Sequence, residues 1–158
     1  MTVVAVVAVA ENLAIGKDGA LPWRYSSDLK FFRQTTTGNA IVMGFKTWAS
    51  LEKPLPNRLN IVLSRKETLE NQPSVLLMRS REEVIALKNY LNCDLCVIGG
   101  AEIFELFRED IDRWIVTEIP QTIRDADTFM PANFLDNFKL RETIRLDDNL
   151  DVKIYEHD

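Results

Sequence analysis

Leu95-Cys96-Val97-Ile98-Gly99-Gly100-Ala101-Glu102-Ile103-Phe104 is an apolar run of strand length, two glycines, and then Ile103, Phe104, Leu106 and Phe107 at helical spacing. A turn without side chains lets the backbone approach an anion, and the helix that follows presents free N–H groups and its positive end. Paired glycines at such a turn also occur for packing alone. The arrangement recurs upstream, where Ala40-Ile41-Val42-Met43 runs into Gly44 and a short helix from Lys46 through Thr47 to Leu51, ended by Pro54 and Pro56. Two such turns in one short chain favour a long ligand anchored at its phosphates, as a dinucleotide is. The first strand, Thr2 to Ala10, is not followed by G-x-G-x-x-G with an acid about twenty positions on, which disfavours a standard Rossmann dehydrogenase.

Thr2 to Ala10 is apolar nearly throughout and reads as a strand buried on both faces in mid-sheet. Leu59 to Leu63, Val75 to Met78 and Trp114 to Ile119 are further strands, and Lys139 to Leu146 with Val152 to Tyr155 form a closing antiparallel pair. Ser80 and Glu83 make a capping box for a helix through Leu91. Strands alternating with helices predict an α/β sheet. Its ligands belong at the strand ends Ala10, Met43, Leu63, Ile98 and Ile119. Gly16, Gly19 and Pro22 turn Glu11 to Trp23 into a loop, and Ser26-Ser27-Asp28 offer caps to a helix carrying Leu29, Phe31 and Phe32.

With 158 residues, 46% hydrophobic and 27% charged, and no linker or repeat, the chain is expected to be a single domain, 1–158. A net charge of −5 argues against nucleic acid as a partner. No run approaches the roughly 20 apolar residues of a membrane helix and no leader is evident, so no membrane and a cytoplasmic location are expected. Cys93 and Cys96 form a CxxC, but His157 is the only histidine and Cys96 lies in a strand. No metal is expected, and the two cysteines are read as reduced thiols.

Asp28 is the carboxylate singled out. It is either a first-turn cap or a semi-buried acid, beside apolar Leu29 and Phe32, that binds an amidine-like ring and assists its protonation. Lys46, Arg65 and Arg79 are either scattered solvated charges or a group that holds an extra phosphate on an adenosine ribose.

LPW at Leu21 to Trp23, DLKFF from Asp28, VMGFKTW at Val42 to Trp48, PLPNR at Pro54 to Arg58, VIGGAEIF at Val97 to Phe104, the strand around Thr117 and ADTFMP at Ala126 to Pro131 resemble the dihydrofolate reductase family. The motifs come in the family's order and cover essentially the whole chain. The resemblance implies an eight-stranded mixed, mostly parallel sheet flanked by four helices. It also implies NADPH-dependent reduction of 7,8-dihydrofolate to 5,6,7,8-tetrahydrofolate, with hydride passing from nicotinamide C4 to pterin C6.

In that family pattern Asp28 binds the pterin 2-amino group and N3, with Thr117 hydrogen-bonded behind it and Trp23 nearby. A water gated by Leu21 protonates N5. Val6, Ala8, Leu29, Phe32, Leu51, Leu55, Ile98 and Phe104 wall the substrate, and Arg58 pairs with the glutamate α-carboxylate. Ala8, Ile15, Gly16, Ala20, Leu21 and Thr128 fall to the nicotinamide side. Ile98, Gly99, Gly100, Ala101, Glu102, Ile103 and Phe104 fall to the pyrophosphate, and Gly44, Phe45, Lys46, Thr47, Leu63, Ser64, Arg65 and Arg79 to the adenosine end. A cis peptide at Gly99-Gly100, antifolate binding with the diaminopyrimidine of trimethoprim on Asp28, and a monomer are further implications.

Three places depart from the pattern. Phe45 stands where a basic residue usually touches the cofactor, Ala126 replaces a glycine, and the segment between Arg145 and Val152 is short. The last two brace the active-site loop, Glu11 to Arg24, and the expectation is that this loop stays closed throughout the cycle. A reductase acting on another ring is the neighbouring alternative, against which Arg58 argues, since a ring without a glutamate tail needs no carboxylate clamp. A non-catalytic pterin or nucleotide binder is the alternative from another class.

Overall fold

A computed structural model describes residues 1–17 and 21–157 of the chain. Its strands are β1 (Val3–Ala10), β2 (Ala14–Gly16), β3 (Ala40–Gly44), β4 (Leu59–Leu63), β5 (Val75–Met78), β6 (Leu95–Gly99), β7 (Arg113–Ile119), β8 (Thr128–Phe129), β9 (Phe138–Arg145) and β10 (Asp151–His157). Its helices are α1 (Ser26–Thr36), α2 (Phe45–Ser50), α3 (Arg81–Ala86) and α4 (Ala101–Leu106). Eight strands form one sheet in the order β5-β4-β3-β6-β1-β7-β10-β9, and β2 pairs with β8 beside it. From β5 to β7 every neighbouring pair is parallel, and β10 and β9 join antiparallel. The mixed, mostly parallel α/β sheet with four helices is the expected one.

The apolar run of β1 is explained by its place at the centre of the sheet. Val3, Ala5, Val7 and Val9 face a cluster with Val84 of α3 and Ile103 and Phe104 of α4. Val4 faces the opposite side with Ile115 and Val152, against which Phe31 of α1 packs, while Phe45 and Trp48 of α2 pack on Ile41, Met43 and Val62. Two helices therefore cover each face, and the strand carries no polar alternation because both faces are largely covered, with only Val6 and Ala8 partly exposed.

The local differences from the sequence reading each have a cause. Ser26 and Ser27 lie inside α1, whose N-cap is Tyr25. Ser27 Oγ donates instead to the Asp147 carbonyl (2.8 Å) and to Asp148 (2.7 Å), so none of the three expected caps closes the helix locally. The loop after β1 contains β2, which pairs with β8. Ser80 does cap α3, accepting from Glu83 N–H, but the helix tightens into a 3-10 turn at Leu87–Asn89 and stops short of Leu91. Helix α2 ends at Ser50, ahead of the prolines, where Ser50 Oγ bonds back to the Thr47 carbonyl.

Cys93 and Cys96 are both free, and burial, helped by Asp94 and Cys93, pushes the Cys96 thiol up to about 12. Among the described residues no helix is long and apolar enough to cross a membrane.

Candidate active site

Residues brought to the carboxyl ends of the parallel strands build the site. Asp28 lies in the first turn of α1 and is only 8% exposed. Burial raises its carboxyl above the ordinary value, and a hydrogen bond from the buried Thr117 hydroxyl of β7 pulls it partly back. Thr117 is in register with Ala8 of β1, so the acid sits over the centre of the sheet. Trp23 is buried among Ala10, Ala14, Ile119 and Leu150, yet its Nε1–H has no partner. A buried donor left unpaired is costly, so this N–H marks a place for a water or a ligand acceptor. Leu21 and Leu29 are exposed and Phe32 is half-buried. Asp28 and Phe32, four apart, share a helix face.

Val6, Leu51, Leu55 and Ile98 all pack on the apolar cluster beneath β3 and β4. Beside them Arg58 is 7% exposed, its Nη1 donating to Thr36 Oγ1 (3.0 Å) and its Nε to the Pro56 carbonyl (2.9 Å). Burial and the charge of Arg33 hold its guanidinium below the usual arginine range. A cation kept out of water beside a second cation is costly, and an anion brought to it would relieve that cost.

The two glycine turns abut. Met43 is in register with Gly99, and Gly44 with Leu63. The Gly99-Gly100 peptide is cis, as the family pattern implies. Gly99 has φ +111°, and a Cβ there would lie 3.1 Å from the Phe104 ring; a Cβ on Gly44 would lie 3.1 Å from Ile103 Cγ1. Packing thus explains both of these glycines. At Gly100, by contrast, a Cβ would meet nothing within 4 Å, so no contact within the fold calls for a glycine there.

Ala101 is half-buried and Glu102 exposed at the start of α4. Lys46 is exposed and Thr47 half-buried on α2, while Phe45 packs into the core. Leu63 is in register with Met78, so Ser64, Arg65 and Arg79 leave adjacent strand ends. Arg79 is partly committed: its Nη1 donates to the Ser64 (3.0 Å) and Glu67 (2.6 Å) carbonyls and shapes that turn. Ile15 packs on the core, and Gly16 pairs with Thr128. Ala20 falls outside the described residues.

Residues 2–156 match the family model described as dihydrofolate reductase. The chain belongs to the dihydrofolate reductase family. It is 40% identical over 131 residues to the dihydrofolate reductase of Haemophilus influenzae, covering 83% of this chain and 79% of that one. To the dihydrofolate reductase of Staphylococcus aureus it is 33% identical over 144 residues, covering 91% and 87%. A solved dihydrofolate reductase from Enterococcus faecalis, complexed with NADP(H) and RAB-propyl, superimposes with a TM-score of 0.90 at 30% identity, covering 99% of this chain and 96% of that one.

Sequence reasoning about this reductase missed a supporting layer. Thr36 and Asn60 are buried polar residues behind Arg58. Asn60 had a signal: it is the one polar residue in the strand Leu-Asn-Ile-Val-Leu, and a buried amide there needs partners off the sheet. Asp148, which accepts from both Ser27 N (3.2 Å) and Ser27 Oγ, had none, because the two lie far apart in the chain.

Proposed function

We propose that Asp28, Thr117 and Trp23 hold the pterin ring of dihydrofolate in this cleft and that the two glycine turns hold NADPH. The chain then reduces 7,8-dihydrofolate to 5,6,7,8-tetrahydrofolate. The observation that carries this reading is the Asp28 carboxyl, buried at the strand ends and held by Thr117 rather than by a cation. Two N–H groups on one ring edge, the 2-amino group and N3, complement a carboxylate with acceptor capacity left over.

NADPH, when bound, supplies a hydride from nicotinamide C4 to pterin C6. The residues present fit it: Gly100 leaves room for the pyrophosphate, and Lys46, Arg65 and Arg79 supply cations for the additional ribose phosphate that distinguishes it from NADH. Ala8, Ile15, Gly16, Ala20 and Thr128 are assigned to the nicotinamide side, and Gly44 to Thr47, Leu63 and Ser64 to the adenosine. Ile98 and Ala101 to Phe104 complete the pyrophosphate turn.

Asp28 binds the far edge of the ring, so it does not deliver the N5 proton itself. It raises the basicity of the ring electrostatically, and a water admitted past Leu21 carries the proton. Val6, Leu29, Phe32, Leu51, Leu55, Ile98 and Phe104 exclude other water, and Arg58 takes the glutamate α-carboxylate. The loop that begins at Glu11 stays closed over the nicotinamide. Supporting this are the Asp127 N–H bond to the Gly16 carbonyl (3.2 Å) and the ion pair of Lys17 with Asp125.

The protein acts as a single-domain monomer in the cytoplasm and binds antifolates through Asp28. The test is dihydrofolate-dependent loss of NADPH absorbance by the purified chain, beside NADH and beside Asp28→Asn. Turnover that prefers NADPH and is lost in the variant is the expected result; tight folate binding without turnover would replace the enzyme by a binder.

A further inference from the structure

Arg58 is buried next to Arg33, and both burial and like charge drive its guanidinium toward water. What opposes that drive is a set of bonds on the segment from Leu55 to Arg58. Asn60 is 0% exposed and uses its whole amide on that segment. Its Oδ1 accepts from Leu55 N–H (3.0 Å), and its Nδ2 donates to the Leu55 carbonyl (3.0 Å) and to the Arg58 carbonyl (3.1 Å). The segment includes Asn57 at φ +60°, and the Asn57 carbonyl accepts from Gly38 N–H (2.8 Å), so the bend is held from the α1 side as well. Thr36, at the end of α1, then receives the guanidinium.

We infer that Asn60 is a positioning residue that sets the enzyme's selectivity for substrates carrying a carboxylate tail, by closing the 55–58 segment so that Arg58 stays in the cleft. This rests on the assignment of Arg58 to the glutamate of the substrate. Asn60 touches no reacting atom, and its amide is spent on the backbone. Deleting the amide removes three bonds from the segment and leaves two carbonyls and an N–H without their partner. The head of Arg58, a cation with a driving force outward, relaxes first. The pterin end is anchored separately by Asp28 and Thr117 on α1 and β7, so it is not moved.

The test compares kcat/KM for dihydrofolate with kcat/KM for a dihydropterin that lacks the aminobenzoyl-glutamate, in the wild type, Arg58→Leu, Asn60→Ala and Asn60→Asp. Arg58→Leu fixes how much the tail contributes. Asn60→Ala is expected to lose tail preference by at least about fivefold, mostly in KM, while turnover of the tailless pterin stays within about twofold; a lost hydrogen-bond set of this kind is worth that much.

Asn60→Asp keeps an acceptor for Leu55 N–H but loses both donations, so it loses tail preference near neutral pH and regains part of it as pH falls and the carboxyl acquires a proton. Taking the ratio of the two substrates cancels effects of pH at Asp28. An equal loss for both substrates, or an unchanged ratio in both Asn60 variants, overturns the inference. If Arg58→Leu itself leaves tail preference intact, the assignment of Arg58 to the tail falls, and the role of Asn60 falls with it.

Discussion

The Thr117 side chain, on the interior strand β7, pulls the buried Asp28 carboxyl, in the first turn of α1, back toward its ordinary value through hydrogen bonding. The two are 89 positions apart in the chain by their numbers and meet because β7 lies beside β1 with Thr117 opposite Ala8. The bond opposes burial, which is the larger influence on this acid. Thr117→Val keeps the shape and removes the donor, so the carboxyl rises further. The pH midpoint that Asp28 imposes on kcat/KM moves to higher pH, and a full profile on both proteins reads the shift; an unchanged midpoint would separate Thr117 from the titration.

A buried acid with a raised value is also a stability statement. Between the unfolded carboxylate value near 3.8 and the higher folded value, the folded chain binds more protons than the unfolded one. Stability attributable to Asp28 is therefore lost as pH rises through that window, and the ionised acid is a burden at neutral pH. Asp28→Asn is expected to raise Tm at pH 7 while lowering turnover by about 100-fold or more. At this chain length each kcal/mol relieved is worth about 2–4 °C. Thermal scans from pH 7 downward should show the gain shrinking toward pH 4, and a gain independent of pH would contradict the charge explanation.

The fold was readable because its strongest signals are local. The unbroken apolar β1, the strand-glycine-glycine-helix run at Leu95 to Phe107 and the antiparallel closing pair each declare themselves within a few residues. The candidate site residues were proposed one motif at a time, but the layer that packs behind them was not. Thr36 against Arg58, Asn60 against Leu55, and Asp148 against Ser27 are contacts between elements whose separation in sequence carries no periodic trace. Helix ends were misread for a related reason: Ser27 looks like a cap, but Asp147 and Asp148 claim its hydroxyl from across the fold.

Thiol chemistry should separate the two cysteines. Cys96 is buried in β6, with its thiol pushed up to about 12, so almost no thiolate exists at neutral pH. Cys93 is partly exposed. A thiol-reactive chromophore is expected to label one cysteine in the native protein and a second only on unfolding, without loss of activity from reduction. Two native labels of equal rate would show that β6 opens readily.

The paired glycines should respond in opposite ways. At Gly99 a side chain meets two obstacles, a φ of +111° that L-residues rarely adopt and the Phe104 ring 3.1 Å from the new Cβ. Gly99→Ala is expected to cost about 1–3 kcal/mol of stability, from backbone strain and overpacking together. At Gly100 the backbone is extended, and a Cβ has no neighbour within 4 Å, so Gly100→Ala should fold with nearly unchanged Tm. Its methyl would nevertheless occupy the space assigned to the pyrophosphate, so KM for NADPH rises about tenfold or more while binding of folate alone is spared, a loss of roughly 1.4 kcal/mol or more in cofactor affinity. Calorimetry and a titration of each ligand on both variants read the contrast. A Gly100→Ala protein with wild-type NADPH affinity would move the pyrophosphate elsewhere and leave Gly100 without the cofactor role proposed for it.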